Sequence, residues 1–177
     1  MTKEELTQEE LKQLLHYNSE TGIFTWKERP NNSFKSVKGT SWNVKFAGKI
    51  TGSLNTIGYL TICINNKAYY AHRLAWLYVY GYFPKDKIDH INGIKKDNRI
   101  ENLRECNNSE NFQNLKTAKS HNKSGFLGVS FHRDRNKYFS RIVIDRKMKN
   151  LGYFETAIEA HFAYLESKRK IHPFGTL

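Results

Sequence analysis

The sequence predicts an α+β protein in two parts. Three observations carry that prediction. Two capping-box patterns, Thr7 to Glu10 and Thr156 to Glu159, each open a run with helical apolar spacing. Short alternating β-branched or aromatic runs return on themselves over tight polar turns. A polar linker, residues 116–124, divides the chain where its charge density changes. The expected arrangement is an N-terminal mixed α/β region at 1–116, its strand, polar loop, strand and helix lying at 85–116. A three-stranded antiparallel sheet with one packed helix follows at 117–177.

Taken in order, Thr7 caps a helix carrying Leu11, Leu14 and Leu15 on one face and ending near His16. Residues 17–22 read as a turn, Ile23 to Trp26 as a strand, and the polar, aperiodic stretch 27–48 as a long loop. Gly58 to Ile64 and Lys67 to Tyr70 form a hairpin turning on Asn65-Asn66. His72 to Tyr80 reads as a buried helix that Gly81 stops. Beyond it, Ile88 to Ile91 and Leu103 to Cys106 are brief apolar runs in a polar segment, and a helix starts near Asn108 or Ser109. In the last part, Phe126 to Phe131, Tyr138 to Ile144 and Lys149 to Phe154 read as strands, and Thr156 opens a helix running to about Lys170.

Composition excludes several classes. At 177 residues, 38% hydrophobic and 26% charged, the chain is of ordinary globular type. Its longest apolar stretch, near Leu74 to Phe83, is too short for a bilayer, which needs about 20 apolar residues. The acidic start, Met1 to Leu6, predicts no secretory signal. Two cysteines, Cys63 and Cys106, make neither a disulfide framework nor a four-cysteine zinc site, and reduced thiols in a cytoplasmic protein are expected. The net charge of +12 favours a polyanionic partner, nucleic acid first, because Lys and Arg displace counterions from phosphates. Residues 117–177 hold +7 of that excess.

Chemistry concentrates in the polar segment. Asp89-His90 closes the first apolar run, Asn102 precedes the second, and Asn111 falls on the following helix. A carboxylate and an amide oxygen suit Mg²⁺ or Mn²⁺, hard ions that prefer oxygen. A histidine beside such an ion can take a proton from water. Singly, such residues are more often surface polar groups or turn formers than a site. Lys95, Lys96 and Arg99 either hold flanking phosphates or keep the loop solvated. His72 reads as a hydrogen-bonded framework residue rather than a second site histidine, since no carboxylate or cysteine accompanies it at ligand spacing.

Ile88-Asp89-His90-Ile91-Asn92-Gly93, Asp97 to Arg104 and Ser109-Glu110-Asn111 closely resemble the HNH motif of phage homing endonucleases. His72 to Trp76, Phe83-Pro84 and Tyr17 to Trp26 resemble the same family. The resemblance covers nearly all of residues 10–116. It implies a ββα-metal finger without structural zinc, His90 as general base, and Asp89 and Asn111 as ligands of one Mg²⁺ or Mn²⁺ ion. Asn102 is then the motif's middle asparagine, which holds the loop and orients the base. Asn111 stands where the motif's name has a histidine, as is common in the phage branch.

In the last part, Lys137, Phe139 and Arg141 fall on one strand face and Tyr138 and Ser140 on the other. Small residues on the helix allow close packing over one sheet face and leave the other open for the major groove. Gly128-Val129-Ser130, Lys137-Tyr138-Phe139, Leu151 to Phe154, and Thr156-Ala157 with Glu159-Ala160, Ala163 and Tyr164 resemble the APETALA2-type domain of plant ethylene-response factors. Leu127 and Tyr138 depart from that pattern. Expected DNA contacts are His132, Arg133, Arg135, Lys137, Arg141, Arg146 and Lys149. The expected function is a Mg²⁺-dependent, site-specific homing endonuclease. One copy would act on double-stranded DNA in the bacterial host cytoplasm, leaving 5′-phosphate and 3′-hydroxyl ends. The alternative is a DNA-binding regulator with a degenerate nuclease fold.

Overall fold

The computed structural model describes residues 6–30, 39–118, 120–144, 146–172 and 174–175. The chain divides into two units, 1–105 and 106–177, so the boundary precedes the linker read from sequence. The predicted α+β class holds: small antiparallel sheets, each with few helices.

In the first unit, α1 (Gln8–Leu14) is capped by Thr7, with the Glu10 side chain closing the box. The chain enters β1 (Leu15–Asn18) directly, so Leu15 and His16 are strand rather than helix. Pairing decides this: Leu15 lies opposite Trp26 of β2 (Ile23–Trp26). The stretch expected to be all loop holds α2 (Gly39–Phe46), while residues 31–38 lie outside the described residues. Trp42 of α2 packs edge-on against Trp26, and the Arg29 guanidinium lies 3.9 Å from its ring. Two short strands the sequence did not reveal follow, β3 (Ile50–Thr51) and β4 (Ser53–Leu54). The hairpin β5 (Leu60–Ile64) and β6 (Lys67–Tyr70) turns where expected, with Asn65 and Asn66 at φ 50 and 62. Next, α3 (Ala71–Tyr80) buries Leu74, Ala75, Trp76 and Leu77 and ends at Gly81. A core of Leu11, Leu15, Phe24, Ile62, Ile64, Leu74, Ile88 and Leu103 joins these elements. It carries the ribbon of β7 (Lys87–His90) and β8 (Leu103–Cys106).

The second unit opens with α4 (Asn108–Gln113), capped by Asn107 and Glu110. Its sheet has the order β11 (Lys147–Phe154), β10 (Lys137–Ile144), β9 (Val129–His132). Helix α5 (Ala157–Ile171), capped by Thr156, covers one face. Val129, Ser140 and Ile142 are buried there with Ala160 and Tyr164 of α5. Gly128 has φ +79, and a Cβ on it would overlap the Tyr164 ring, so helix and sheet approach more closely than any other residue allows.

Candidate active site

Strand alternation should leave one of two adjacent residues exposed. Yet Ile88, Asp89 and His90 are all buried, at 8, 7 and 4% exposure. Ile88 joins the core. Asp89 is covered by Arg104 of β8, whose Nε and Nη2 both donate to Oδ2, at 3.0 and 2.8 Å. His90 is covered by two rings from elsewhere in the unit: His72 edge-on at 5.1 Å between centroids, and Tyr59 at 5.8 Å.

The loop between β7 and β8 is tied by its own polar side chains. Asp97 accepts from Arg99 Nε and Nη2 at 2.8 and 2.7 Å and from Asn92 Nδ2 at 2.7 Å. Those bonds, the Arg99 ones foremost, hold its carboxyl down to about 2. Asn102 accepts from the Asn92 N–H and donates to the Asp97 carbonyl, at 2.9 and 2.8 Å. It therefore staples the two ends of the loop.

The side chain that meets His90 is Asn98, fully buried at 1% exposure. Its Nδ2 donates to the Lys96 carbonyl, which turns Oδ1 towards His90 Nε2, 3.3 Å away. An amide oxygen only accepts, so this contact is a hydrogen bond in the tautomer that carries the His90 proton on Nε2. Burial lowers the His90 pKa, opposed by the Asn98 bond and by the charges of Asp89 and Asp97. The net effect disfavours the charged ring, so the imidazole is held neutral. Tyr17 donates to the Asn98 carbonyl at 2.6 Å, tying the loop to β1.

His72 was read from sequence as a hydrogen-bonded framework residue. It is buried, at 7% exposure, and its Nδ1 has no hydrogen-bond partner among the described residues. Tyr59 and Tyr70 pack on its ring, at 5.2 and 5.3 Å. Burial, with His90 and Arg73 nearby, pushes its pKa down to about 3. Burial raises the Tyr59 phenol, and the charge of Asp89 adds to this. Lys95 Nζ donates to the Ile57 carbonyl at 2.9 Å and lies over the Tyr59 ring, so it clamps the turn before β5 to the loop.

The structure thus brings together Asp89, His90 and Asn102. Asn111 lies on α4 in the second unit, half-buried, its N–H bonded to the Asn107 carbonyl. Lys95 and Arg99 have partners within the protein; Lys96 is exposed. Asn98, Tyr59, His72 and Arg104 complete the neighbourhood, and only His72 was weighed from sequence. Among the described residues, no three His, Cys, Asp or Glu side chains come together to hold a metal ion. An ion here would draw on few protein oxygens and on phosphate and water, as Mg²⁺ commonly does.

In the second unit, β10 pairing sets Lys137 opposite His132. On their face, His132, Phe139 and Tyr153 are in ring contact, Arg135 lies over Tyr153 at 4.4 Å and Arg141 over Phe139 at 5.4 Å. Lys137 is paired with Glu155. Arg133 lines a cleft of ≈ 690 Å³ with Lys123, Tyr138 and Arg141. Arg146 sits at φ 64 in the β10–β11 turn. Lys149 lies opposite Ile142, on the other face from Arg141.

Residues 69–113 match the HNH endonuclease family. The chain is 35% identical over 107 residues to Protein 3.8 of Escherichia phage T7, covering 60% of this chain and 87% of that protein. No solved structure matches the chain.

Proposed function

This chain belongs to one family with Protein 3.8 of Escherichia phage T7 and carries an HNH endonuclease domain, and from that premise we propose that it is a site-specific, homing-type DNA endonuclease. The observation that carries the chemistry is the Asn98–His90 pair beside Asp89 on a buried strand end. His90 takes the proton of the attacking water at Nδ1. Asn98 Oδ1 accepts the Nε2–H throughout and stabilises the imidazolium that forms. Asp97, Arg99 and Asn102 keep the loop, and so Asn98, in place. Asp89 would be an oxygen ligand suited to Mg²⁺ or Mn²⁺, since hard ions prefer carboxylate oxygen. The resemblance assigns Asn111 as second ligand. When bound, the ion neutralises charge on the scissile phosphate. The products are a 5′-phosphate and a 3′-hydroxyl.

The second unit would hold double-stranded DNA through the open sheet face bearing Arg135 and Arg141, one copy per site, in the bacterial host cytoplasm. The APETALA2 resemblance and the segment's charge support this. The Arg104–Asp89 pair favours a second reading, a DNA-binding regulator with a silent nuclease fold.

Cleavage of supercoiled plasmid with Mg²⁺ separates the two. The wild type should cut, EDTA should stop it without loss of cooperative melting, and His90→Ala should lose at least about 10²-fold in rate while still binding DNA. Near-wild-type cutting by His90→Ala removes the base assignment. Melting that collapses in EDTA reveals a metal needed for folding.

A further inference from the structure

The cleft of ≈ 690 Å³ in the second unit lies beside β9, the edge strand of its sheet. Ligand sites commonly occupy about 300–1,000 Å³. Lys123, Arg133 and Arg141 line this one, and no acidic side chain does. None of the three forms an ion pair among the described residues, whereas Lys137 of β10 is paired with Glu155. The cleft also has an aromatic wall. Phe131 of β9 stands opposite Tyr138 of β10, their rings edge-on at 5.0 Å, and Phe131 is 45% exposed. A ring left this open beside three cations is available for a ligand to cover.

Cations with an open aromatic ring suit a nucleotide strand: the cations meet phosphates and the ring meets a base. A duplex offers phosphates and groove edges but keeps its base faces stacked inside. We propose that this cleft binds an unpaired stretch of DNA strand, with one base against Phe131 and flanking phosphates on Lys123 and Arg133. The proposal rests on the second unit's holding DNA, and adds a surface to the sheet face that would hold the duplex. The segment bearing Lys123 is already folded on itself. Asn122 Nδ2 donates to the Phe126 carbonyl at 2.8 Å, and Asn122 Oδ1 accepts the Ser124 N–H at 2.9 Å. The Lys123 backbone is thus held from both sides before a strand arrives, which lowers the ordering cost of binding.

The test is fluorescence anisotropy of the full chain in EDTA, with a labelled oligothymidylate of about 12 nucleotides and, separately, a labelled duplex. The wild type should bind both. Phe131→Leu keeps apolar packing against Tyr138 and removes the stacking ring. It should melt near wild type, weaken oligothymidylate binding at least about fivefold and leave the duplex unchanged. Lys123→Ala with Arg133→Ala, both exposed positions, should make the slope of log K against log[salt] on the single strand shallower by about 1.4. Wild-type oligothymidylate affinity in Phe131→Leu overturns the proposal, and so does an equal loss on the duplex. If Phe131→Leu melts well below wild type, the exposed pair decides, and an unchanged slope overturns it. Tighter binding of oligouridylate than of oligothymidylate makes the ligand RNA and overturns the DNA assignment. A wild type that binds duplex but not oligothymidylate removes this role alone, whereas one that binds neither removes the DNA-holding reading of the unit as well.

Discussion

In the proposed mechanism, Asn98 sets which nitrogen of His90 is the base. Its Oδ1 needs the proton on Nε2, and it favours the charged imidazole. Asn98→Ala removes both effects. Cleavage should fall by about 10–10²-fold, because the ring loses its tautomer and orientation. The base must be neutral, so activity fades as pH falls through the His90 pKa. Loss of an interaction that raises this pKa moves that acid limb to lower pH; a limb shifted upwards, or unmoved, contradicts the assignment. His72 makes a separate prediction about stability. Its folded pKa, near 3, lies below the ordinary 6.5, so between those values the unfolded chain binds a proton that the native one refuses. Stability is then fully present above about pH 6.5 and falls as pH drops, by up to about 1.4 kcal/mol per pH unit. Urea unfolding at pH 7 and pH 4.5 should show a smaller acid loss in His72→Phe than in wild type.

The elements matter through the turns that touch the loop. Gly22, in the β1–β2 turn, has φ +71, and a Cβ there would come within 2.6 Å of backbone atoms of Asn98 and Arg99. Ser19 in the same turn accepts the Ile100 N–H. Gly22→Ala should cost about 1–3 kcal/mol in urea unfolding and depress cleavage beyond that destabilisation. Asn66→Val, strained at φ 62 in a turn away from the loop, serves as the control: it should lose stability and keep its activity. Equal activity loss in both would mean that Gly22 acts only through stability. The same distinction explains what the sequence showed. The capping boxes, the Asn65-Asn66 turn and the Gly81 stop are local, and all are present. Helix α2 was hidden because it depends on Arg29 and Trp26, distant in sequence, including the paired bonds of Asn43 to the Arg29 backbone. Asp89, His90 and Asn102 were legible through their motif. Asn98, Tyr59 and Arg104 were not, since each enters through a contact that spacing does not encode. Lys149 was named with Arg141 among the DNA contacts; Gly152 pairs with Ser140 and Asn150 with Arg141, so Leu151 is an extra residue, the alternation beyond it is reversed, and Lys149 falls on the other face from Arg141.

At the scale of the molecule, the proposed division of labour rests on the charge split. Residues 117–177 carry +7, and the open sheet face holds Arg135 over Tyr153 and Arg141 over Phe139. Cutting the chain at Lys116 is a poor test of that face. Lys168 of α5 donates to the Leu115 carbonyl at 2.7 Å, and the Phe174 N–H donates to Gln113, so truncation would strip partners from the end of α4 as well. Substitutions in the whole chain avoid this. Each phosphate contact contributes about 0.9 to the slope of log K against log[salt] on duplex DNA. Arg135→Ala with Arg141→Ala should therefore make the slope shallower by about 2 if both touch phosphate, and weaken binding to every sequence alike. If Arg141 reads a base instead, the slope should change by about 1, and a matched site should lose about 1–3 kcal/mol more than random DNA. Turnover at saturating DNA should stay near wild type in both cases, since His90 and its loop belong to the other unit. Binding isotherms at several salt concentrations, with cleavage-site mapping on one target, read all three quantities. An unchanged slope and unchanged sites would place DNA contact elsewhere on the molecule.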